Sequence, residues 1–337
     1  MAADPMATAQ TEHVRWGVLS TANIALTKVI PGLRRSARSE VLAIASREDG
    51  KADAAAAALG IPRAYGTYEA LLADPEVDAV YIPLPNHLHA QWTIAAAQAG
   101  KHVLCEKPLS LTAAEAQRMV DACQEAGVLL MEAFMYRQHP SWIAARGLVE
   151  SGRIGRLQAV DSWFSYYNDD PGNIRNSHDM GGGALYDIGC YCINLSRMLF
   201  GSEPTTVRST IIRDAVLGVD VVSSAILEFP AGVATFTCST RAESDQRVDI
   251  YGTAGRLSIE IPFNIPPDRP TRVFVIAGGD PPVAPATETL TFEPADPYAC
   301  EADRFADAIL DGARLPVEPE DAVANLRVIE AVFTASR

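Results

Sequence analysis

Two short segments, far apart in the chain, carry side chains that can exchange a proton. The first is an apolar strand that ends in Glu106, Lys107 and Pro108. The second offers a carboxylate at Asp187 and a phenol four residues later at Tyr191. A lysine, a carboxylate and a phenol suit the oxidation of an alcohol or the reduction of a carbonyl, because both reactions move a proton on oxygen.

The two segments depend on each other. Lys107 at the end of a buried strand needs a compensating partner, and beside a reacting hydroxyl it can favour ionisation of a nearby phenol. A free tyrosine loses its proton only near pH ~10, so Tyr191 needs such a cation to act as a base. On a helix Asp187 and Tyr191 would share one face, and the glycines at 181–183 would let backbone approach a ligand. A plain Lys-Pro turn and a packed core tyrosine remain the alternatives.

These segments need a scaffold, and the first part of the chain alternates apolar strands with helical patterns. Strands are predicted at 14–20, 40–46, 77–83, 103–106 and 129–133, and helices at 22–36, 50–59, 67–73, 86–99 and 112–126. This alternation predicts a parallel, doubly wound sheet. Its ligand should lie at the carboxyl ends of the strands, beside Ser20, Ser46, Pro83 and Glu106.

The turn after the first strand should bind phosphate. The usual Gly-x-Gly-x-x-Ala pattern is reduced here to Ser20, Thr21, Ala22, Asn23, Ile24 and Ala25. These small residues still let backbone N–H groups and a helix N-terminus meet a pyrophosphate. An ordinary tight turn is an equal alternative.

Further cofactor contacts are expected at the ends of the other strands. Ser46 and Arg47 favour NADP over NAD, because an arginine there accommodates a 2′-phosphate, although the acidic pair at 48–49 could bind a ribose instead. The turn from Pro83 to His89 should face the cofactor, and Asn86 is a good helix N-cap. The cofactor residues predicted in this turn are Pro83, Leu84, Asn86 and His89. His87 and His89 find no third ligand, so capping and packing are favoured over a metal site.

After residue 155 the apolar period changes to two. Strands are predicted at 157–166, 207–212, 221–229, 233–240, 247–251, 256–261, 272–276 and 287–292, followed by helices at 298–312 and 321–335. The predicted fold class is therefore α/β, with a Rossmann dinucleotide-binding domain at 14–136. An α+β substrate-binding and oligomerisation domain at 137–337 is built on a large, mainly antiparallel open-faced sheet.

Composition excludes several classes of partner. The chain of 337 residues has a net charge of −14 and no basic run, so neither nucleic acid nor a membrane is an expected partner. Its six cysteines lack metal-ligand spacing, and reduced core thiols without a metal are expected. Residues 1–13 lack signal-peptide features, and no apolar run approaches the roughly 20 residues of a membrane helix. A cytoplasmic protein is expected.

The first-strand turn, the Pro83–His89 segment, the Glu-Lys-Pro segment and the stretch from 181 to 191 together resemble the Gfo/Idh/MocA oxidoreductase family. The resemblance covers nearly all of 14–336 and points to the branch with glucose-fructose oxidoreductase, NADP-dependent D-xylose dehydrogenase and dimeric dihydrodiol dehydrogenase. It implies an active site between the two domains. It also implies a homodimer or homotetramer formed through the second sheet.

The resemblance also implies residue roles. The lysine and tyrosine of that branch, matched by Lys107 and Tyr191, are catalytic, and Asp187 matches a sugar-binding carboxylate. Arg175 matches an arginine near nicotinamide and substrate, and Ile174 replaces a tryptophan that often precedes it. The wider family's sugar cyclitol dehydrogenases carry histidine in place of Tyr191, which argues against an inositol dehydrogenase. Lys107, Arg175, Asp187 and Tyr191 are thus the predicted substrate-binding residues.

The leading hypothesis is an NADP-preferring oxidoreductase that moves a hydride between nicotinamide and a sugar or polyol. Oxidation of a cyclic aldose at C1 is favoured. A keto-sugar reductase and a trans-dihydrodiol dehydrogenase are the alternatives within the same chemistry. A non-catalytic NAD(P)-sensing regulator is the alternative of another class, although such members typically lose the lysine and tyrosine kept here.

Overall fold

The computed structural model describes residues 12–278 and 287–336. Its strands are β1 (Val14–Leu19), β2 (Ser39–Ala45), β3 (Arg63–Tyr65), β4 (Ala79–Ile82), β5 (His102–Glu106), β6 (Leu130–Ala133), β7 (Leu157–Tyr167), β8 (Thr206–Arg213), β9 (Asp220–Phe229), β10 (Gly232–Ser239), β11 (Arg241–Gly252), β12 (Gly255–Ile259), β13 (Thr271–Ala277) and β14 (Thr287–Phe292). Its α-helices are α1 (Ile30–Arg35), α2 (Lys51–Leu59), α3 (Tyr68–Leu72), α4 (His89–Gln98), α5 (Ala113–Ala126), α6 (Pro140–Glu150), α7 (Cys190–Phe200), α8 (Pro297–Asp311) and α9 (Glu320–Ala335). The prediction of localisation rested partly on residues 1–13, and of these, residues 1–11 lie outside the described residues.

The first sheet is parallel, with strand order β3-β2-β1-β4-β5-β6. Its strands are short apolar runs buried on both faces, as expected when helices cover both sides of a parallel sheet. The order reverses between β1 and β4, which opens a crevice at the carboxyl ends of these two strands. The predicted Rossmann architecture is confirmed.

The first helix departs from the prediction of one helix over 22–36. Residues Ala25–Val29 form a π-helical turn, and the N–H of Ile30 donates to the carbonyl of Ala25. α1 then begins at Ile30 with Pro31 in its first turn. Pro31 has no N–H and cannot bond the carbonyl four residues back, so the helix widens just before it.

The second sheet has eight strands in the order β14-β13-β12-β11-β7-β10-β9-β8. β7 and β10 run parallel, and the other neighbouring pairs are antiparallel. Burial alternates along β9 and β10, so one face packs inward while the other stays open. The mainly antiparallel open-faced sheet is confirmed.

The last two helices return to earlier parts of the chain. α8 packs on the first sheet, where Phe305 meets Trp16 with ring centroids 5.8 Å apart, and α9 packs on α5 and α7. The domain boundary at 136/137 stays a prediction. α8 lies after this boundary in the chain, yet it packs on the sheet of the N-terminal domain. α6, between the two sheets, was not predicted, and β11 extends six residues further toward the N-terminus than its predicted start at 247.

Two expectations from composition can be compared with the structure. All six cysteines are free thiols, and five of them are buried. Among the described residues, no helix is long and apolar enough to cross a membrane.

Candidate active site

The turn after β1 holds a strained backbone. Ser20 has φ of 145°, a conformation that favours glycine, although serine occupies the position. Its hydroxyl accepts a hydrogen bond from the N–H of Ala22 at 3.0 Å, and Ala25 is fully buried beneath the turn. Thr21, Ala22, Asn23 and Ile24 lie between the strand and the π turn, as a phosphate-binding loop requires.

Arg47 lies just past β2 with an uncommitted charge. Its guanidinium carbon is 5.4 Å from the centroid of the Tyr68 ring, and it has no ion pair within 12–278 and 287–336. Ser46 is nearly buried, and its hydroxyl accepts from the N–H of Glu48 at 3.2 Å. Glu48 itself pairs with Lys51 at 2.6 Å. The pairing of Glu48 makes Arg47 the better placed of the two to meet a cofactor at this edge.

The turn after β4 requires a correction at His89. Its side chain is fully buried, and its two ring nitrogens lie 2.7 Å from the carbonyl oxygen of Leu84 and 3.0 Å from that of Pro108. Burial holds its pKa low, at about 4. His89 therefore has no surface for a cofactor. It instead ties the Leu84 turn to the Lys107–Pro108 segment.

Asn86 also differs from its predicted capping role. The 3₁₀ turn at Asn86–Leu88 has no side-chain cap, and the Asn86 amide donates to the carbonyl of Gly181 at 2.9 Å. Asn86 thus links the two domains. His87 is exposed, so the two histidines of this turn do not converge.

The segment after β5 is braced on several sides. The Tyr81 hydroxyl donates to Glu106 Oε1 at 2.6 Å, and the N–H of Leu109 donates to Glu132 at 2.7 Å. The peptide bond between Lys107 and Pro108 is cis. These bonds fix the backbone on both sides of Lys107, with Glu106 serving as an anchor of the strand end.

Lys107 meets Asp187 across the domains. Its Nζ donates to the Asp187 carbonyl at 2.7 Å and to Asp187 Oδ1 at 3.3 Å. Burial, the largest single influence, would lower the pKa of Lys107, but Asp187, together with smaller contributions from Cys190 and Glu106, outweighs it and raises the pKa above its ordinary value. The lysine therefore stays an ammonium.

Asp187 collects three partners on one carboxylate. Besides Lys107, the Tyr166 hydroxyl donates at 2.5 Å and Arg175 Nε at 3.0 Å, both to Oδ2. Burial opposes ionisation, yet Lys107 and Arg175 lower the pKa of Asp187 to about 2. Asp187 lies in a π-helical turn, Leu185–Gly189, directly before α7.

The glycines at 181–183 pack closely against protein atoms. A Cβ on Gly182 would lie 2.5 Å from the carbonyl oxygen of Arg175, and one on Gly183 would lie 2.0 Å from Asp220 Oδ1. The N–H of Gly183 donates to the Arg175 carbonyl at 2.8 Å. The glycines let the Arg175 loop pack closely, and this packing holds Arg175 beside Asp187.

Tyr191 lies in an aromatic cluster at the start of α7. Its ring contacts Phe134, Phe164 and Phe263, and its hydroxyl lies 3.7 Å from Met135 Sδ. Burial, followed by the charge of Glu106, raises its pKa well above the ordinary value. The expected ionisation by Lys107 is therefore absent in this state, because desolvation dominates. Tyr191 is a neutral phenol and a proton donor.

One cavity of about 250 Å³ brings the predicted catalytic residues together. Lys107 Nζ lies 4.9 Å from the centroid of the Tyr191 ring. The cavity is lined by Lys107, Phe164, Tyr166, Asn168, Arg175, Asp187, Ile188, Tyr191 and Asn264. Tyr166 and Asn264 were not predicted. Tyr166 ends a predicted strand and could have been found from its parity, whereas Asn264 carries no local signal.

Both parts of the chain match known protein families. The profile described as an oxidoreductase family with an NAD-binding Rossmann fold matches residues 14–134, and the GFO/IDH/MocA C-terminal domain matches 142–258. The chain belongs to the Gfo/Idh/MocA family. Its first domain is therefore an NAD(P)-binding Rossmann domain, and the protein is an oxidoreductase.

Several relatives span nearly the whole chain. An oxidoreductase from Rhizobium meliloti is 46% identical over 95% of this chain and 96% of its own length. An NADP-dependent D-xylose 1-dehydrogenase from Haloferax volcanii is 41% identical over 95% and 97%. A solved 3-ketoreductase from Actinomadura kijaniata, in complex with NADP and TDP-benzene, superposes with a TM-score of 0.88 at 32% identity over 96% and 98%.

Proposed function

We propose that this protein is an NADP-preferring aldose 1-dehydrogenase that oxidises a cyclic aldose to its lactone. The observation that carries the proposal is the Lys107 ammonium, held by Asp187 and 4.9 Å from the Tyr191 ring centroid, at the carboxyl end of β5. The relative named as a D-xylose 1-dehydrogenase supports chemistry at C1. Pairing of a lysine with a phenol is suited to proton exchange on a hydroxyl.

The residues at the cofactor edge fit NADP. Ser20 holds a backbone conformation that usually needs glycine, as a loop shaped for a pyrophosphate requires. Arg47 offers a guanidinium without an ion pair among the described residues, and such a group accommodates a 2′-phosphate. Bound NADP supplies a nicotinamide that accepts a hydride.

The side chains of the cavity bind the substrate and transfer the proton. Lys107 donates a hydrogen bond to the C1 hydroxyl oxygen and orients it. Asp187, ionised and fixed by three partners, accepts from a neighbouring ring hydroxyl, while the remaining N–H groups of Arg175 donate to sugar oxygens. As hydride leaves C1, the hydroxyl proton passes to the phenolate form of Tyr191, which is the minor form at neutral pH because burial raises the pKa of this side chain.

Three variants of one solved relative support the same pair. The structures of the Actinomadura kijaniata 3-ketoreductase include one in which a tyrosine is replaced and others in which a lysine is replaced. Those two positions are 84 residues apart, the same separation as Lys107 and Tyr191.

A keto-sugar reductase is the second candidate. The neutral phenol of Tyr191 favours it, because reduction of a carbonyl requires a proton donor. A relative from Actinomadura kijaniata named as a dTDP-linked keto-sugar 3-reductase, 33% identical over 98% of this chain, belongs to that class. The regulator alternative has no such observation in its favour, since Lys107 and Tyr191 line one cavity.

The test is an NADP(H) absorbance screen in both directions across aldoses, keto-sugars and diols. We expect oxidation of at least one free aldose with formation of NADPH. Tyr191→Phe should reduce this turnover about 10²–10⁴-fold. The control is Tyr186→Phe, which should not reduce it, because the Tyr186 hydroxyl donates to the Leu111 carbonyl outside the cavity. Turnover of keto-sugars alone would replace the proposal with the second candidate.

The open face of the second sheet supports a homo-oligomer. Ile212 and Ile226 are 56% and 43% exposed, and Ile226 lines a shallow groove of about 360 Å³ across this face. Exposed apolar side chains on an uncovered sheet favour association. Light scattering should give twice or four times the chain mass, and Ile226→Asp should lower it.

A further inference from the structure

We propose that a second cavity beside the catalytic pocket binds a second sugar ring, so that the enzyme acts on the reducing end of an uncharged di- or oligosaccharide. This inference rests on the proposed function. It names the substrate class of the same site and assigns residues of β11 and of the segment between β12 and β13 to binding.

The two cavities lie side by side. The catalytic pocket measures about 250 Å³ and its neighbour about 430 Å³, and they share Tyr166 and Asn264 in their walls. Small-molecule sites usually measure about 300–1,000 Å³. The catalytic pocket alone falls below that range, whereas the two together fall within it.

The shared wall is held rigidly. Gln246 Oε1 accepts from the N–H groups of Phe263 and Asn264 at 3.1 and 2.9 Å. Phe263 is fully buried and stacks on Phe164 with ring centroids 4.9 Å apart. The segment that carries Asn264 is therefore fixed to β11 before a ligand arrives, which reduces the entropy lost on binding.

The outer cavity offers uncommitted polar groups. Among the described residues, the Ser244 hydroxyl and the Asn264 carboxamide have no hydrogen-bond partner. Asp245 uses only Oδ1, to accept from the N–H of Gln246 at 2.9 Å. Both donors and acceptors are thus available, as the hydroxyls of a sugar require. Tyr166 adds a ring to the wall.

Charge disfavours a phosphate in the outer cavity. Asp245 and Glu260 line it, against a single cation, Arg269. Glu260 pairs with Arg272, which lowers its pKa and keeps it ionised. A pyrophosphate placed there would face two carboxylates. A neutral sugar would instead donate hydrogen bonds to those carboxylates and accept hydrogen bonds from other groups of the cavity.

A nucleotide-linked sugar would have to extend elsewhere. A third cavity of about 710 Å³ lies between α1 and the segment after β12, borders Asn264 and is lined by Lys28. Lys28 has no ion pair among the described residues. The lining of this third cavity balances Lys28 and Arg35 against Asp268 and Asp296, whereas the lining of the outer cavity has one carboxylate in excess, and this difference in charge makes the two cavities separable by experiment.

The experiment compares kcat/KM with NADP for glucose and xylose against cellobiose, maltose and xylobiose. We expect at least one disaccharide to exceed its monosaccharide about tenfold, through a lower KM. Asp245→Ala should reduce that ratio severalfold, and Asp245→Asn should restore part of it. Glu243→Ala, on the same strand but outside the cavity lining, is the matched control and should keep the ratio.

The outcomes separate the two proposals. Oxidation of monosaccharides with no gain for any disaccharide, or a ratio unmoved by Asp245→Ala in a folded enzyme, would overturn the second subsite alone. Competitive inhibition by dTDP that is relieved by Lys28→Ala would also overturn it, in favour of a nucleotide-linked substrate. Absence of turnover with any aldose would overturn the proposed function and this inference together.

Discussion

The two ends of the cofactor cleft are built differently. At the catalytic end, the Lys107 and Asp187 side chains are 12% and 14% exposed and joined by an ion pair, with Tyr166 and Arg175 completing the cluster. At the end proposed to bind the adenosine, Arg47 is exposed and lies near the Tyr68 ring, with no ion pair among the described residues. The proposed catalytic groups are thus oriented by folding, whereas the group proposed to select the cofactor is not held by an ion pair among the described residues.

Because of this difference, substitutions at the two ends should affect different properties of the enzyme. Groups fixed in advance need no reorganisation when substrate binds, so their loss should reduce turnover and stability strongly. A solvated arginine contributes only when its phosphate is present. Substitutions at the two ends should therefore produce different signatures.

The largest effect is expected for Lys107→Ala. Loss of the ammonium removes the group that orients the reacting oxygen, and kcat should fall about 10³-fold, within the range of acid–base catalysis. NADPH binding, followed by fluorescence titration, should stay measurable because Arg47 and the Ser20 loop are untouched. Lys107→Arg, which keeps a charge beside Asp187, is the control. Near-native turnover of the alanine variant would remove Lys107 from the mechanism.

The next effect is a difference in pH dependence between the two reaction directions. Because burial raises the pKa of Tyr191 well above its ordinary value, the phenolate is scarce at neutral pH. Oxidation, which needs a base, should accelerate about tenfold per pH unit on the alkaline side, while reduction stays level. Initial rates in both directions between pH 7 and 9 check this. Parallel profiles would show that Tyr191 does not exchange the proton.

A third effect concerns stability at the catalytic end. The pKa of Asp187 is about 2 in the folded protein, below the ~3.9 of a free aspartate. A carboxylate whose pKa is lowered by folding stabilises the fold fully when the pH is above its unfolded pKa. This contribution to the free energy of unfolding, about 2–3 kcal/mol, is lost as the pH falls toward 2. Between pH 7 and 3, the free energy of unfolding measured with urea should therefore decrease more for wild type than for Asp187→Asn.

Its control is a carboxylate of the same segment without burial. Asp179 is 99% exposed and faces only His178, so Asp179→Asn should follow the wild-type pH dependence. If Asp187→Asn also follows it, the ion pairs of Asp187 do not stabilise the fold.

The same contrast explains how far the sequence could be read. Positions at the ends of β1, β2, β4 and β5 follow from apolar runs and strand alternation, and these place Ser20, Ser46 and Glu106 at one edge. Complementary residue types suggested that Lys107 and Asp187 meet, and family resemblance placed them in one site between the domains, because nothing local specifies such a contact.

The failures share one physical cause. His89 lies against the carbonyls of Leu84 and Pro108, and Gly182 packs on that of Arg175, so both roles are set by backbone groups brought near by folding. Asn264 reaches the site through a segment anchored by Gln246. Partners of this kind are not encoded in residue type or spacing, and a pattern that fits a ligand fits protein backbone equally well.

The smallest effect is expected at the adenosine end, where Arg47→Ala should weaken NADP binding about tenfold and leave NAD nearly unchanged. A charge-assisted bond to phosphate is worth about 1.5–3 kcal/mol when fixed, and solvent exposure of Arg47 places it at the lower limit. Kd values for both cofactors measure the change, with the exposed and remote Arg118→Ala as control. Because Glu48 is paired with Lys51, equal weakening of NADP and NAD would show that Arg47 shapes the loop rather than binding the 2′-phosphate.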